Sequence, residues 1–146
     1  MFTFMKYLFI IVVVLTISLI GCTSYRSGIT KRQLKEAYIY SFKITYFKQL
    51  LFVGFNRTSE IQSILLKDRS GYGEPILTKE DINTIDSIVN IENIKMFQDS
   101  VLSIGKIAEG AQGKRIFDYA LRKYNSKYLD SLANVRYKYF IKIYGN

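Results

Sequence analysis

Apolar residues recur along most of this chain at spacings of three and four, the period of a helix face, and seldom at two. The clearest run is Ala37, Tyr40, Ile44, Phe47 and Leu51, one stripe of a long helix. Tyr38, Phe42, Tyr46 and Leu50 widen it, so this helix is expected to be central and contacted on more than one side. Thr30-Lys31-Arg32-Gln33 opens it as a capping box, with Thr30 as N-cap and Gln33 reaching back. Gly54 to Thr58 breaks the pattern. A shorter helix over about 59–69 carries Ile61, Ile64 and Leu65, and Ser70-Gly71-Tyr72-Gly73-Glu74-Pro75 reads as a loop. Thr78 caps the next helix, whose face is Ile82, Ile85, Ile88 and Val89, and Glu80 and Asp81 suit its N-terminal dipole. A kink or short turn is expected at Asn90 to Asn93, after which Ile94, Phe97, Val101, Ile104 and Ala108 renew the stripe. Gly110-Ala111-Gln112-Gly113 stops that helix. Lys114 to Tyr124 forms another, with Ile116, Phe117, Ala120, Leu121 and Tyr124 turned inward. Ser126 caps the last helix, with a face of Leu129, Leu132, Arg136 and Phe140 or Ile143; residues 135–144 alternate in places, so a terminal strand is the alternative there. The chain has one proline, Pro75, and short connections. These patterns predict an all-α fold, a single compact bundle of about five to six helices.

The first 22 residues follow a different pattern. Lys6 precedes the uncharged run Tyr7 to Ile20, which closes on Leu19-Ile20-Gly21-Cys22. The run has the length of a signal-peptide h-region, ~7–15 apolar residues, and falls short of the ~18–20 that cross a bilayer as a helix. Its last four residues resemble a bacterial lipobox, with an aliphatic residue at −3, a small one at −1 and cysteine at +1. The resemblance implies cleavage before Cys22 and acylation of that residue with the several chains that stable anchoring needs. It divides the sequence into a signal peptide at 1–21, an acylated cysteine and tether at 22–29, and a helical domain at 30–146. The domain is then expected to face the periplasm as a lipoprotein, with the outer membrane favoured over the inner.

Composition narrows the chemistry. After loss of 1–21 the chain is one domain of ordinary size, large enough for a single core. It has no histidine, so the commonest general base and metal ligand are missing. Its one cysteine is committed to the anchor, which leaves no thiolate nucleophile, no Cys-based metal site and no internal disulfide. Catalysis would have to come from carboxylates, Lys or Tyr alone. Glu80, Asp81 and Asp86 share a helix, but nothing around them suggests paired acid/base work. Gly110-x-x-Gly113-Lys114 is not a phosphate loop, because Ala108 stands where a glycine is needed and Arg115 where a hydroxyl is needed. Asn56-Arg57-Thr58 matches a glycosylation sequon but reads as a helix cap.

Charge points to a partner class. The chain carries 21 Lys and Arg against 12 Asp and Glu, and loss of Lys6 leaves the mature domain still strongly basic. Its last third interleaves Lys114, Arg115, Arg122, Lys123, Lys127, Arg136, Lys138 and Lys142 with Tyr124, Tyr128, Tyr137, Tyr139 and Tyr144. In the cytoplasm that would suggest nucleic acid. Export excludes nucleic acid as the expected partner and leaves a solvated face, anionic lipid headgroups or an acidic protein.

One segment carries a family resemblance. Gly113 to Leu132 includes Tyr124-Asn125-Ser126 followed by Leu129-Asp130. It resembles the C-terminal signature of the fourth class of type VI secretion amidase immunity proteins, where a helix ending in Cys-Leu leads to Tyr-Asn-Ser, then Leu-Asp and a final helix. Leu121 matches the Leu, and Ala120 replaces the Cys. Glu36-Ala37-Tyr38 at the start of the long first helix and the export signal also fit. The family often joins those two helices by a disulfide; here both sides are absent, with Ala120 at one end and Ser41 or a neighbour at the other. The resemblance implies an all-helical periplasmic protein, often a homodimer, that binds a peptidoglycan amidase delivered by neighbouring cells and plugs its cleft with a loop. It also implies a non-enzymatic protein with no metal, cofactor or catalytic residue. Two loops are candidates for that role, Gly71, Tyr72, Gly73 and Glu74, and Gly110, Ala111, Gln112 and Gly113, since glycines let backbone approach a partner. The alternative is an envelope lipoprotein that binds another envelope protein or lipid. The cognate amidase and the membrane, through the lipid anchor, are the expected partners.

Overall fold

Tyr38, Phe42, Tyr46 and Leu50 succeed one another at every fourth position of the longest N-terminal helix, and all are buried. They form one row because residues four apart lie over each other on a helix. In the computed structural model, which describes residues 30–71, 75–104 and 112–144, this row is the centre of the molecule. Five helices are described: α1 (Lys31–Gly54), α2 (Ser59–Lys67), α3 (Lys79–Leu102), α4 (Ile116–Tyr124) and α5 (Lys127–Tyr144). They belong to one compact unit and include no strand. The all-α expectation therefore holds, and α5 runs as helix through the stretch for which a strand was the alternative. No helix among the described residues is long and apolar enough to cross a membrane.

The core row on α1 differs from the expected one by a rotation. Tyr38 and Phe42 are fully buried, while Ala37 and Tyr40 are exposed and Ile44 and Phe47 are half-buried. The residues expected to widen the stripe are its centre, because the heaviest side chains follow one strict fourth-position row. Ile85 and Val89 of α3, Met96 further along it, Ile116 and Ala120 of α4, and Leu129 and Ala133 of α5 complete the cluster. Among the described residues, the buried core lies between Tyr38 and Ala133.

The α1–α2 turn is where expected. The Asn56 and Arg57 backbones are both left-handed, at φ 59° and 57°, a conformation that only Gly and, to a lesser degree, Asn and Asp visit readily. The Arg57 N–H donates to the Phe52 carbonyl at 2.8 Å and the Asn56 N–H to Val53 at 3.0 Å, which closes the end of α1. Gly54 sits just before, and a Cβ there would lie 2.7 Å from Ile116 Cγ2, so its lack of a side chain lets α4 pack on α1.

Helix α3 corrects two expectations. It runs unbroken for 24 residues, so there is no kink at Asn90 to Asn93. Asparagine is a poor helix former because its side chain competes for the backbone. Here both amides have other partners: Asn90 Oδ1 accepts from Arg57 Nη2 at 3.0 Å and Asn93 Oδ1 from Lys114 Nζ at 3.2 Å. A continuous helix keeps one face inward, and that face is Asp81, Ile85, Val89, Glu92 and Met96. Ile82, Ile94, Phe97, Val101 and Ile104, expected in the core, are exposed. On α4, Ile116 and Ala120 are buried as expected, whereas Phe117 and Leu121 are exposed. Phe117 instead sets its ring edge-on to Phe55, 5.5 Å between centroids.

Candidate functional site

Two polar clusters are buried against the core; the carboxylate of each is paired, while the buried Tyr38 hydroxyl beside the first has no hydrogen-bond partner among the described residues. At the start of α3 the Thr78 Oγ1 accepts from the Asp81 N–H at 3.2 Å, while the Thr78 N–H donates to Asp81 Oδ2 at 2.9 Å. This is a complete capping box with Asp81 as the reciprocal acid. The other carboxylate oxygen of Asp81 receives Arg136 Nε from α5 at 2.7 Å. Burial alone pushes this carboxyl up, but the bonds from the Thr78 N–H, Arg136 and Thr78 outweigh it and hold Asp81 below the usual carboxylate range. Tyr38 lies beside this pair, and its ring packs on Tyr137 and Phe140 at 5.5 and 5.1 Å. Burial, and then the neighbouring Asp81, raise its phenol.

The second cluster surrounds Glu92, in the middle of α3. Its carboxylate accepts from the Tyr119 hydroxyl and pairs with Lys123 Nζ at 2.9 Å and Lys95 Nζ at 3.5 Å. Burial again works upward, and the Tyr119 and Lys123 bonds reverse it, so Glu92 stays ionised. Burial also raises the Tyr46 and Tyr119 phenols. Neither cluster holds a group tuned toward neutral pH, where a general base works best. Among the described residues no three metal-ligating side chains gather.

The family-like signature is built into the fold. Tyr124 ends α4 and Asn125 caps it through its N–H to the Leu121 carbonyl at 3.1 Å. Ser126 Oγ donates to the Lys123 carbonyl at 2.7 Å and accepts from the Leu129 N–H at 3.2 Å, which opens α5. Leu129 is buried, and Lys43 of α1 pairs with Asp130 at 2.6 Å while sitting 4.7 Å above the Tyr124 ring. All five residues thus shape the α4–α5 elbow and fasten it to α1. Ala120, in the position of the family's cysteine, is fully buried in the core.

The nominated loops are partly visible. Cys22, Tyr72, Gly73, Glu74, Gly110 and Ala111 lie outside the described residues. Gly71 has φ 74°, and a Cβ there would meet Ile44 Cγ2 at 2.5 Å. Lys48 fixes the same stretch by donating to the Asp68 and Ser70 carbonyls at 3.2 and 2.6 Å. Gly71 is therefore a packing glycine against α1. Gly113 has φ 113° with open space where a Cβ would be, and Gln112 is exposed. Lys114 follows at once and donates to the Gly54 carbonyl and to the amide oxygens of Asn56 and Asn93 at 3.3, 3.1 and 3.2 Å. Gly113 also lines a cavity of about 270 Å³ between α3 and α4, shared with Asp99, Arg115 and Arg122.

The most distinctive surface is one that the sequence reading placed in the core. Ile94, Phe97 and Val101 form a row on the side of α3 opposite Ile85, Val89 and Met96, and Ile104 continues it. Their exposures run from 49 % to 63 %, and no charged residue interrupts the row. Contiguous exposed apolar surface on a soluble domain marks an interaction site. Helix α3 is thus apolar on two sides, inward to the core and outward to solvent.

No protein-family model matches this chain, and neither a curated protein nor a solved structure does.

Proposed function

We propose that this chain is a membrane-anchored immunity protein that binds a peptidoglycan amidase effector and occludes its cleft. The exposed row Ile94, Phe97, Val101 and Ile104 carries the reading, because it offers an uncharged, rigid helix face of the kind that a protein partner buries. Gln112 and Gly113 follow the same helix in sequence, so a loop and a docking face come from neighbouring segments. The Tyr124-Asn125-Ser126 and Leu129-Asp130 signature supports the family half of the proposal. The lipobox-like Leu19 to Cys22 supports the anchor, and both place the inhibitor where cell-wall amidases act.

A form starting at Thr23 keeps every described helix and serves as the inhibitor to be tested. In excess it should abolish cell-wall digestion by a cognate Cys-His amidase and co-purify with it. Phe97→Glu should weaken the complex roughly tenfold to a hundredfold, the effect of losing a central apolar anchor, with unchanged helical circular dichroism. Unchanged digestion at excess inhibitor rejects that amidase as the partner. The anchor has its own test. The full-length chain should incorporate labelled fatty acid and the Cys22→Ser chain should not; labelling of that variant would overturn the lipobox reading.

A further inference from the structure

The outward side of α5 presents two parallel rows with different chemistry. Tyr128, Val135, Tyr139 and Ile143 form one, at steps of seven, four and four, and are 59 %, 46 %, 55 % and 65 % exposed. Lys127, Ser131, Lys138 and Lys142 form the other, at steps of four, seven and four, and all are exposed. The only carboxylate in the helix, Asp130, is half exposed and is held by Lys43 at 2.6 Å. Arg136 is likewise occupied by Asp81. Along one edge the outward face carries three lysines with Ser131 and Asn134 between them and no carboxylate, and it is aromatic and aliphatic along the other.

From this pattern we infer that the outer face of α5 is a docking surface for an anionic phospholipid membrane. Tyrosine rings and branched aliphatics enter the boundary between headgroups and acyl chains, with each phenol left at headgroup level. Lysines at the edge reach the phosphates, and their stems lie along the apolar row. The face suits a lipid surface better than an acidic protein, because the lysines lie along one edge of an apolar row, and Asn134, the one carboxamide among them, is half-buried and donates to the Asp130 carbonyl at 2.8 Å within the helix. Helix α5 would lie flat on the membrane, with its buried side still packed on the core through Leu129 and Ala133. The inference depends on neither the immunity reading nor the lipid anchor.

The test uses the form starting at Thr23, which has no acylation site, mixed with vesicles of pure phosphatidylcholine or with about a third phosphatidylglycerol. Binding should occur to the anionic vesicles only and weaken steeply with salt. Combined Lys127→Gln, Lys138→Gln and Lys142→Gln should reduce it by roughly a hundredfold, each lysine near the surface contributing about fivefold. The chain has no tryptophan, so Tyr139→Trp gives a single reporter whose emission should shift to the blue on anionic vesicles. Absence of binding to anionic vesicles overturns the inference, as does binding that the triple lysine variant leaves unchanged. An unshifted reporter in a bound protein also overturns it, since contact would then be purely electrostatic. Vesicle binding with no amidase inhibition would leave this surface standing and remove the immunity reading alone.

Discussion

Phe42→Ala should lower the unfolding free energy by about 3–5 kcal/mol, the range for removing a fully buried phenylalanine from a packed core. Phe42 is fully buried, with Tyr38 and Tyr46 one turn to either side, so the cavity would be walled by rigid rings that relax poorly. For a domain of this size the melting temperature should fall by on the order of 15 °C. Tyr40→Ala supplies the contrast. That side chain lies on the same helix but is 47 % exposed, and its loss should cost no more than about 1 kcal/mol. Thermal or urea unfolding of the two variants separates the row at Tyr38, Phe42 and Tyr46 from the row at Ala37, Tyr40 and Ile44. Equal costs would mean that the inward face of α1 has been assigned to the wrong row.

Asp81→Ala should be nearly as damaging, at about 3 kcal/mol, for two separable reasons. It removes half of the capping box on α3, a loss of about 1 kcal/mol. It also strands the Arg136 guanidinium, whose side chain is only 21 % exposed, without its counter-charge. Adding Arg136→Met to Asp81→Ala should recover much of the second part, because an apolar side chain of similar length tolerates the site better than an unpaired cation. If the double variant is no more stable than Asp81→Ala alone, the pair is not the source of the loss. The pH dependence follows from the direction of the shift. The folded Asp81 carboxyl titrates below its ordinary value of 3.8, so its contribution is complete above that value and is lost as the pH falls through the lower folded one. Urea midpoints of the wild-type chain should therefore decline on acidification below about pH 4, and Asp81→Ala should decline less. Glu92 shifts the same way and adds to the acid sensitivity that remains.

These two sites show how far the sequence could be read. Helix order and most boundaries followed from periodicity and from the breaks at Gly54 and Gly113, although the segments on either side of Asn90 to Asn93 are one helix, and the Thr78 cap was visible as a hydroxyl before a run with an acid three positions on. What periodicity could not choose was the face. On α3 two apolar rows interleave; Ile85 and Val89 turn inward as expected, and with them come Asp81 and Glu92, two carboxylates that an apolar pattern does not mark as core. The partners that make those carboxylates acceptable inside, Arg136, Tyr119 and Lys123, come from α4 and α5, too distant in sequence for a local pattern to pair. The row without charges, Ile94 to Ile104, was taken for core and is surface. A like ambiguity arose at Asn90 and Asn93, whose helix-breaking tendency is answered by cations from the α1–α2 turn and from Lys114. Among the described glycines, Gly71 meets Ile44 and Gly54 meets Ile116, whereas Gly113 has open space around it.

Lys114 ties the chain back to the same helix that it leaves at Leu102, through the amide of Asn93. Ile104, Gln112 and Gly113, the described residues on either side of that connection, add nothing to the buried core. Lengthening such a closed excursion costs little, about 0.6 kcal/mol for each doubling. Natural variation can rewrite it, or laboratory grafting replace it, while the scaffold beneath keeps its fold. For the immunity function proposed above, a connection of that kind would be a cartridge that can be exchanged as the adversary changes.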